Sequence, residues 1–213
     1  DHALTMSIRM DGDFSGYWAT RSKALVQNIA SCERRVATDN HHLHFLRISK
    51  PAQIAAAVDR YAILEASNWK GQAGKAMTTG SAQERFYADV LTRFAQTGGV
   101  AVYELWLGDR LAASRMTIND GQCLVILKAT YDESLAKYAP DRLLMRKVIQ
   151  DAFDNQQGGI VEFYADADSA MLEWSMETRW IRHVTVYRSV FTQFISLLGQ
   201  VTRSACRRTE PAS

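Results

Sequence analysis

From Val100 to Tyr131 the apolar residues recur with a period of two, and the run is cut by two hairpin signals, Gly108-Asp109 and Asn119-Asp120-Gly121. The spacing predicts three consecutive antiparallel strands over 100–107, 110–118 and 122–131, a meander. A meander has an apolar face that helices must cover, and the flanking segments supply helical periods. Ala139-Pro140 introduces a helix over 141–155, with Leu144, Val148 and Ala152 on one face, and Gly158-Gly159 ends it. The apolar run 160–165 then reads as a strand. A strand, a crossover helix and a second strand return parallel in the same sheet, so 122–131 and 160–165 are expected to run side by side in one direction. Two strands leaving a sheet together at a helix N-terminus form a crevice suited to a ligand.

The remaining segments fit an α/β (α+β) chain with a mixed, mostly antiparallel sheet flanked by helices. Leu25, Ile29 and Cys32 predict a helix over 21–35, after an aromatic cluster at Phe14, Tyr17 and Trp18. A strand is expected over 43–48. Pro51 opens a helix that ends near Asn68, and the glycine-rich stretch 69–76 reads as a loop. Ser81 caps the next helix, with Phe86, Val90 and Phe94 as its apolar stripe and Gly98-Gly99 as its end. A helix over 169–177, a last strand over 181–190 and a disordered tail over 203–213 complete the expectation.

Composition narrows the function classes. With 25 Lys+Arg against 23 Asp+Glu, the net charge of +2 supplies no field to gather nucleic acid or anionic lipid. No apolar stretch is long enough for a transmembrane helix and no leader pattern opens the chain, which points to a cytoplasmic protein. Cys32, Cys123 and Cys206 have no metal-ligand spacing, which suits a reducing compartment. His41, His42 and His44 lack a nearby carboxylate or cysteine, so no metal is expected; His183 reads as a half-buried strand residue. Neither a phosphate-binding Walker loop nor a Gly-x-Ser-x-Gly elbow is present, against an NTPase or a hydrolase.

Five segments in order carry a resemblance: Leu64-Glu65-Ala66-Ser67-Asn68-Trp69-Lys70-Gly71, Arg85-Phe86-Tyr87, Ile126-Leu127-Lys128-Ala129-Thr130-Tyr131-Asp132-Glu133, Tyr138-Ala139-Pro140-Asp141-Arg142-Leu143-Leu144, and Glu162-Phe163-Tyr164 with Glu173-Trp174. Together they resemble the CelD-like branch of the GNAT acyltransferase superfamily, a branch associated with cellulose and exopolysaccharide biosynthesis and related to the Fem-type transferases. The resemblance implies a GNAT fold, acetyl-coenzyme A or another acyl-coenzyme A as donor, and a small-molecule or saccharide-linked amine or hydroxyl as acceptor. Such relatives commonly carry a further GNAT-like half upstream. The chain, which opens at Asp1 without Met, then divides into 1–50 linking to that half, a transferase domain over 51–195 and a tail over 196–213.

Acyl transfer from a thioester needs an extended donor, a polarised carbonyl, a neutral nucleophile and a proton for the thiolate. If 124–131 splays from its parallel neighbour, the backbone of Lys128, Ala129 and Thr130 can pair with the pantetheine arm. The amides of Asp141, Arg142, Leu143 and Leu144 at the helix start are the candidate pyrophosphate site, although Asp141 sets a carboxylate there. Glu65, desolvated by Trp69, is the expected general base with a raised pKa, so that Glu65→Gln costs turnover and little stability. Asp132 and Glu133 are further candidates for proton handling or acceptor binding. Tyr131, Tyr138 and Tyr164 are phenols able to protonate the thiolate, Tyr138 lying on the donor side. Trp69 and Lys70 would hold the acceptor, Lys70 through an anionic group. Two rival readings follow: a Fem-like aminoacyl transferase, for which the near-neutral charge is unsuited, and a non-catalytic lobe, which Asp141 favours.

Overall fold

Met6 and Ile8, with Met10 just past the end, alternate with Thr5, Ser7 and Arg9 and are buried along a first strand, β1 (Ala3–Arg9), that has no counterpart among the expected elements. The computed structural model describes residues 3–155, 159–164, 167–175 and 177–182. Within it, α1 (Phe14–Ala19) carries the aromatic cluster, and α2 (Lys23–Thr38) starts where the Ser22 hydroxyl accepts from the Leu25 amide at 3.1 Å. β2 (Leu43–Ile48) and α3 (Pro51–Ala66) fall where the spacing placed them, with Pro51 in the first turn, where its missing N–H costs nothing. The expected loop contains one helical turn, α4 (Trp69–Gln72), because the Asn68 carboxamide caps the Lys70 amide at 2.9 Å.

α5 (Ala82–Gln96) begins at the Ser81 cap as read, but its buried face is not the expected one. Phe86 and Phe94 are 60% and 43% exposed, whereas Leu91 and Ala95 are buried against α3. The sequence carries two apolar stripes about one residue apart around the helix, and packing on α3 selected the less bulky one.

The meander is present as β3 (Val100–Leu107), β4 (Arg110–Asn119) and β5 (Cys123–Tyr131), and Gly108 and Gly121 adopt the positive φ that their turns demand. A 3₁₀ turn (Glu133–Tyr138) leads into α6 (Pro140–Asn155) and β6 (Ile160–Phe163). The expected helix over 169–177 shortens to α7 (Ser169–Leu172), and Glu177 instead starts β7 (Glu177–Ile181). Residues 183–190 of the expected last strand, the 203–213 tail, His183 and Cys206 lie outside the described residues.

The seven strands form one sheet in the order β2-β3-β4-β5-β6-β1-β7, antiparallel at β2-β3, β3-β4, β4-β5 and β6-β1, and parallel between β5 and β6. α2 and α6 bury Leu25, Ile29, Leu144 and Val148 on one face with Met6, Ile126, Val161 and Phe163. α3 and α5 bury Ile54, Val58, Tyr61 and Leu91 on the other, with Val102 and Met116. Residues 3–180 make one unit by contact; the second comprises 1–2 and 181–213, described only at Ile181 and Arg182. Among the described residues, no helix is long and apolar enough to cross a membrane.

Candidate active site

Among the described residues the parallel pair is joined over four rungs, from Cys123–Ile160 to Ile126–Phe163. β5 then continues to Tyr131 with β4 still at its side, Tyr131 lying opposite Ala113. β6 turns the other way, because the Thr5 hydroxyl donates to the Phe163 carbonyl and the Ala167 amide donates to the Leu4 carbonyl at 2.6 Å. Each strand stays with its antiparallel partner, and the sheet parts between them. The opening is a cleft of about 170 Å³ lined by Arg115, Ile126–Ala129, Asp141, Phe163, Tyr164 and Met171.

At the α6 side of this cleft, Asp141 does not occupy the amides of its own helix. Its carboxylate accepts from Arg115 at 2.7 Å, and the Arg115 side chain is only 5% exposed. A buried guanidinium without a counter-charge is costly, so the pair neutralises both groups. The Arg142 and Leu143 amides, expected to be free, donate to the Ala139 carbonyl at 3.0 and 3.1 Å, and Leu144, four residues past Pro140, has its acceptor within the helix. Ala139 precedes the helix, and a residue in that position lends its carbonyl to the first turn. The Arg142 guanidinium pairs with Glu173, and the Leu143 and Leu144 side chains are in the core rather than at the cleft.

Glu65, at the end of α3, is buried. Its Oε1 accepts from the Tyr61 hydroxyl at 3.0 Å and the Lys70 ammonium at 3.2 Å; its Oε2 accepts from the Met77 amide at 2.8 Å and lies 3.3 Å from the Lys128 ammonium. Burial alone pushes this carboxyl up, but the Met77 amide, Lys128, the Tyr61 hydroxyl and Lys70 together hold it below its ordinary value. Desolvation pushes the Tyr61 phenol far up, so it remains a donor. The expected raised pKa is therefore overturned, as is its cause: Trp69 is 54% exposed and no hydrogen bond or ion pair joins it to Glu65. An ionised carboxylate whose two oxygens hold four donors is a poor proton acceptor; it is an electrostatic anchor for two lysines.

Lys128 reaches Glu65 through a backbone irregularity. Leu124 and Ile126 point into the core beneath α6, and simple alternation would send Lys128 after them. The register shifts between Met116 and Thr117 so that Met116 faces Lys128 and Thr117 faces Ile126, leaving Leu127 as an extra residue in β5. Lys128 is thereby turned to the α3 side, 5.8 and 5.7 Å from the Tyr61 and Tyr87 ring centres. The bulge falls directly past the last β5–β6 rung. Two residues on, buried Thr130 accepts from the Asn68 carboxamide at 2.8 Å, tying β5 to the cap of α4.

The other sequence candidates separate. Asp132 caps the 3₁₀ turn through the Ser134 amide and pairs with Arg110 at 2.5 Å; Glu133 faces solvent. Buried Tyr138 donates to Asp39 at 2.6 Å and Tyr131 packs on the core, whereas Tyr164, 66% exposed, stands at the cleft. The ring of His41 meets that of Tyr138 edge-on. Gly71 permits Lys70 to sit where it does: a Cβ there would meet the Ala66 carbonyl oxygen at 1.8 Å. Gly71→Ala is expected to lower stability by about 1–3 kcal/mol through backbone displacement, measured by urea unfolding.

The sequence matches the acetyltransferase (GNAT) domain family over residues 23–168. The chain belongs to this family. Among solved structures, its GNAT domain is similar to FemX (TM-score 0.58, 6% identity, 89% of this chain and 56% of that one). It is also similar to a conserved protein of unknown function from Bacteroides thetaiotaomicron (0.52, 14%, 81% and 55%). An aminoglycoside acetyltransferase from an uncultured soil metagenomic sample, bound to sisomicin, matches at 0.49 and 12% identity, over 69% of this chain and 97% of that one. The chain thus spans just over half the length of the first two, and the likeness to those two shows the fold. No curated protein matches it.

Sequence reasoning missed Arg115, Tyr61 and Met77 in this GNAT domain. Arg115 had a signal, a cation within an apolar central strand, and Tyr61 lies four residues before Glu65 on one helix face. Met77 contributes only a backbone amide, which no side-chain pattern announces.

Proposed function

We propose that the chain transfers an acyl group, acetyl in the simplest case, from acyl-coenzyme A to an amine or hydroxyl of a small, saccharide-linked acceptor. The observation that carries this reading is that β5–β6 pairing ends at Ile126–Phe163 while β5 runs on to Tyr131. Among the described residues no strand pairs with 127–131 on that side, so its backbone can pair with the amide-bearing pantetheine arm as an added strand would. The thioester then lies near the bulge at Leu127, where a backbone amide meets its carbonyl oxygen. Arg115 compensates the Asp141 charge at the cleft, which lessens the repulsion of a pyrophosphate.

The acceptor approaches from the α3 side. There Lys70 and Lys128 exceed Glu65 by one positive charge, which suits an acceptor with an anionic group, and exposed Trp69 offers a flat apolar surface to a sugar ring. Attack forms the new bond to the acyl carbon and the carbon–sulfur bond breaks; the acceptor's proton passes to water, and Tyr164, at the cleft, gives its proton to the thiolate and regains one from water.

Acetyl-coenzyme A at about 100 times its dissociation constant is expected to stabilise the protein by about 2.7 kcal/mol, a rise in Tm of roughly 5–10 °C. Differential scanning fluorimetry with acetyl- and longer acyl-coenzyme A checks this. A flat response to all of them would replace the transferase by a non-catalytic lobe.

A further inference from the structure

Lys128 is the lysine that lines the cleft, and it follows Leu127, the extra residue of β5, just beyond the last β5–β6 rung. Its side chain leaves the sheet on the α3 face and is 16% exposed. The Nζ atom lies 3.3 Å from Glu65 Oε2 and 5.8 and 5.7 Å from the Tyr61 and Tyr87 ring centres. With the thioester at the Leu127 bulge, the nitrogen carried by the next residue stands within one side chain's length of the acyl carbon. It stands on the face from which an acceptor approaches. A nucleophile tethered so close has an effective concentration far above that of a dissolved amine.

The surroundings tolerate the loss of this ammonium. Glu65 holds two lysines, so without the Lys128 charge its carboxylate keeps Lys70 at 3.2 Å, the Tyr61 hydroxyl at 3.0 Å and the Met77 amide at 2.8 Å. One cation then faces one carboxylate, and no buried charge is left without a partner. An acylated Nζ retains one N–H, which serves Glu65 Oε2. The added acyl group is apolar, and the Tyr61 and Tyr87 rings with half-buried Leu127 offer it apolar walls on that face. The other lysines are placed differently: Lys50 and Lys75 are exposed, and Lys137 is bound to Asp39 at 2.8 Å.

The geometry points to Lys128 as an acyl acceptor in its own right, a site at which the chain acylates itself when no other acceptor is bound. This rests on the donor position argued above. The Lys128 ammonium first gives a proton to water, because Glu65, ionised and held by donors, is a poor acceptor. The neutral nitrogen then forms the carbon–nitrogen bond, and the carbon–sulfur bond breaks. A second nitrogen-borne proton passes to water, while Tyr164 protonates the thiolate and regains a proton from water. The products are an amide at Lys128 and a free thiol, with one proton released. The modification cancels the surplus positive charge on the acceptor side, which weakens the attraction for an anionic acceptor. A bound acceptor in turn keeps Lys128 from the acyl carbon.

The test incubates the protein with acetyl-coenzyme A alone and follows each lysine by mass spectrometry of proteolytic peptides. Acetyl-Lys128 is expected to accumulate at least about tenfold faster than acetylation of exposed Lys50 and Lys75, which report uncatalysed transfer from solution. Ala129→Phe, which fills the cleft, should abolish the Lys128 signal and leave those of Lys50 and Lys75 unchanged. Lys128→Arg, which keeps a cation beside Glu65, should remove the rapid gain of one acetyl group from the intact mass. If acetyl-coenzyme A raises the wild-type Tm while Lys128 is modified no faster than Lys50 and Lys75, the proposal is overturned and the donor wedge stands. A wild type with neither the thermal shift nor acetyl-Lys128 would overturn the wedge, and the proposal with it. Acetyl-Lys128 that persists in Ala129→Phe would also overturn the proposal, because the acyl group would not have come through the cleft.

Discussion

Glu65→Gln is expected to cost about 3 kcal/mol of folding stability at neutral pH, within the range for breaking a buried ion pair. The carboxylate is buried and compensates Lys70 and Lys128, whose side chains are 33% and 16% exposed. Glutamine keeps an oxygen for the Met77 amide but no charge for the lysines, and it turns a donor toward them. The partial exposure of the lysines keeps the loss at the low end of that range. Because the folded pKa is depressed, the charged form contributes stability above the ordinary value of 4.5, and that contribution fades as pH falls through the folded value. The difference between wild type and variant in urea unfolding should therefore be full at pH 7 and shrink as pH falls below 4.5. A difference that is negligible at pH 7, or the same at pH 3, would show that Glu65 is not held ionised by these partners.

Blocking the wedge is expected to have the largest effect on activity. Ala129 lines the cleft beside Arg115, its partner across β4–β5, and is only half-buried. In Ala129→Phe the ring has room to sit in the cleft without disturbing the core, and it occupies the path of the pantetheine arm. The acetyl-coenzyme A thermal shift should disappear, and turnover should fall by at least about 100-fold, the loss that misplacing a reacting group by about 1 Å already causes. Far-UV circular dichroism and the ligand-free Tm should change little. Phe86→Ala, at an exposed site on α5, serves as the control and should bind donor normally. Retention of the shift in Ala129→Phe would place the donor elsewhere on the domain.

The elements that could be read from sequence are those whose signals are local. Gly108-Asp109 and Asn119-Asp120-Gly121 marked both hairpins, Ser81 and Pro51 marked helix starts, and the crossover rule gave the parallel β5–β6 pair. β1 was equally legible in the alternation of Met6, Ile8 and Met10, and its absence from the expected elements was an omission rather than a lack of signal. The stripe on α5 was ambiguous, since two faces of that helix are apolar and only α3 decides between them. Among site residues, Glu65, Lys70 and Lys128 were each singled out from the motifs, but the contact of Glu65 with both lysines was not foreseen. Nor was the protonation of Glu65, because its donors come from Tyr61, Met77, Lys70 and Lys128, spread over 68 positions of chain.

By itself the sequence determined the meander, the crossover helix and the mixed sheet they require, because hydrophobic period, caps and turn residues act over a few neighbouring positions. Tertiary structure alone decided where β5 and β6 part, that the bulge at Leu127 turns Lys128 toward Glu65, that Arg115 neutralises Asp141, and that Glu65 is ionised. Those outcomes depend on which distant backbone amides, cations and strands converge on a given atom, and charge and burial are properties of that convergence.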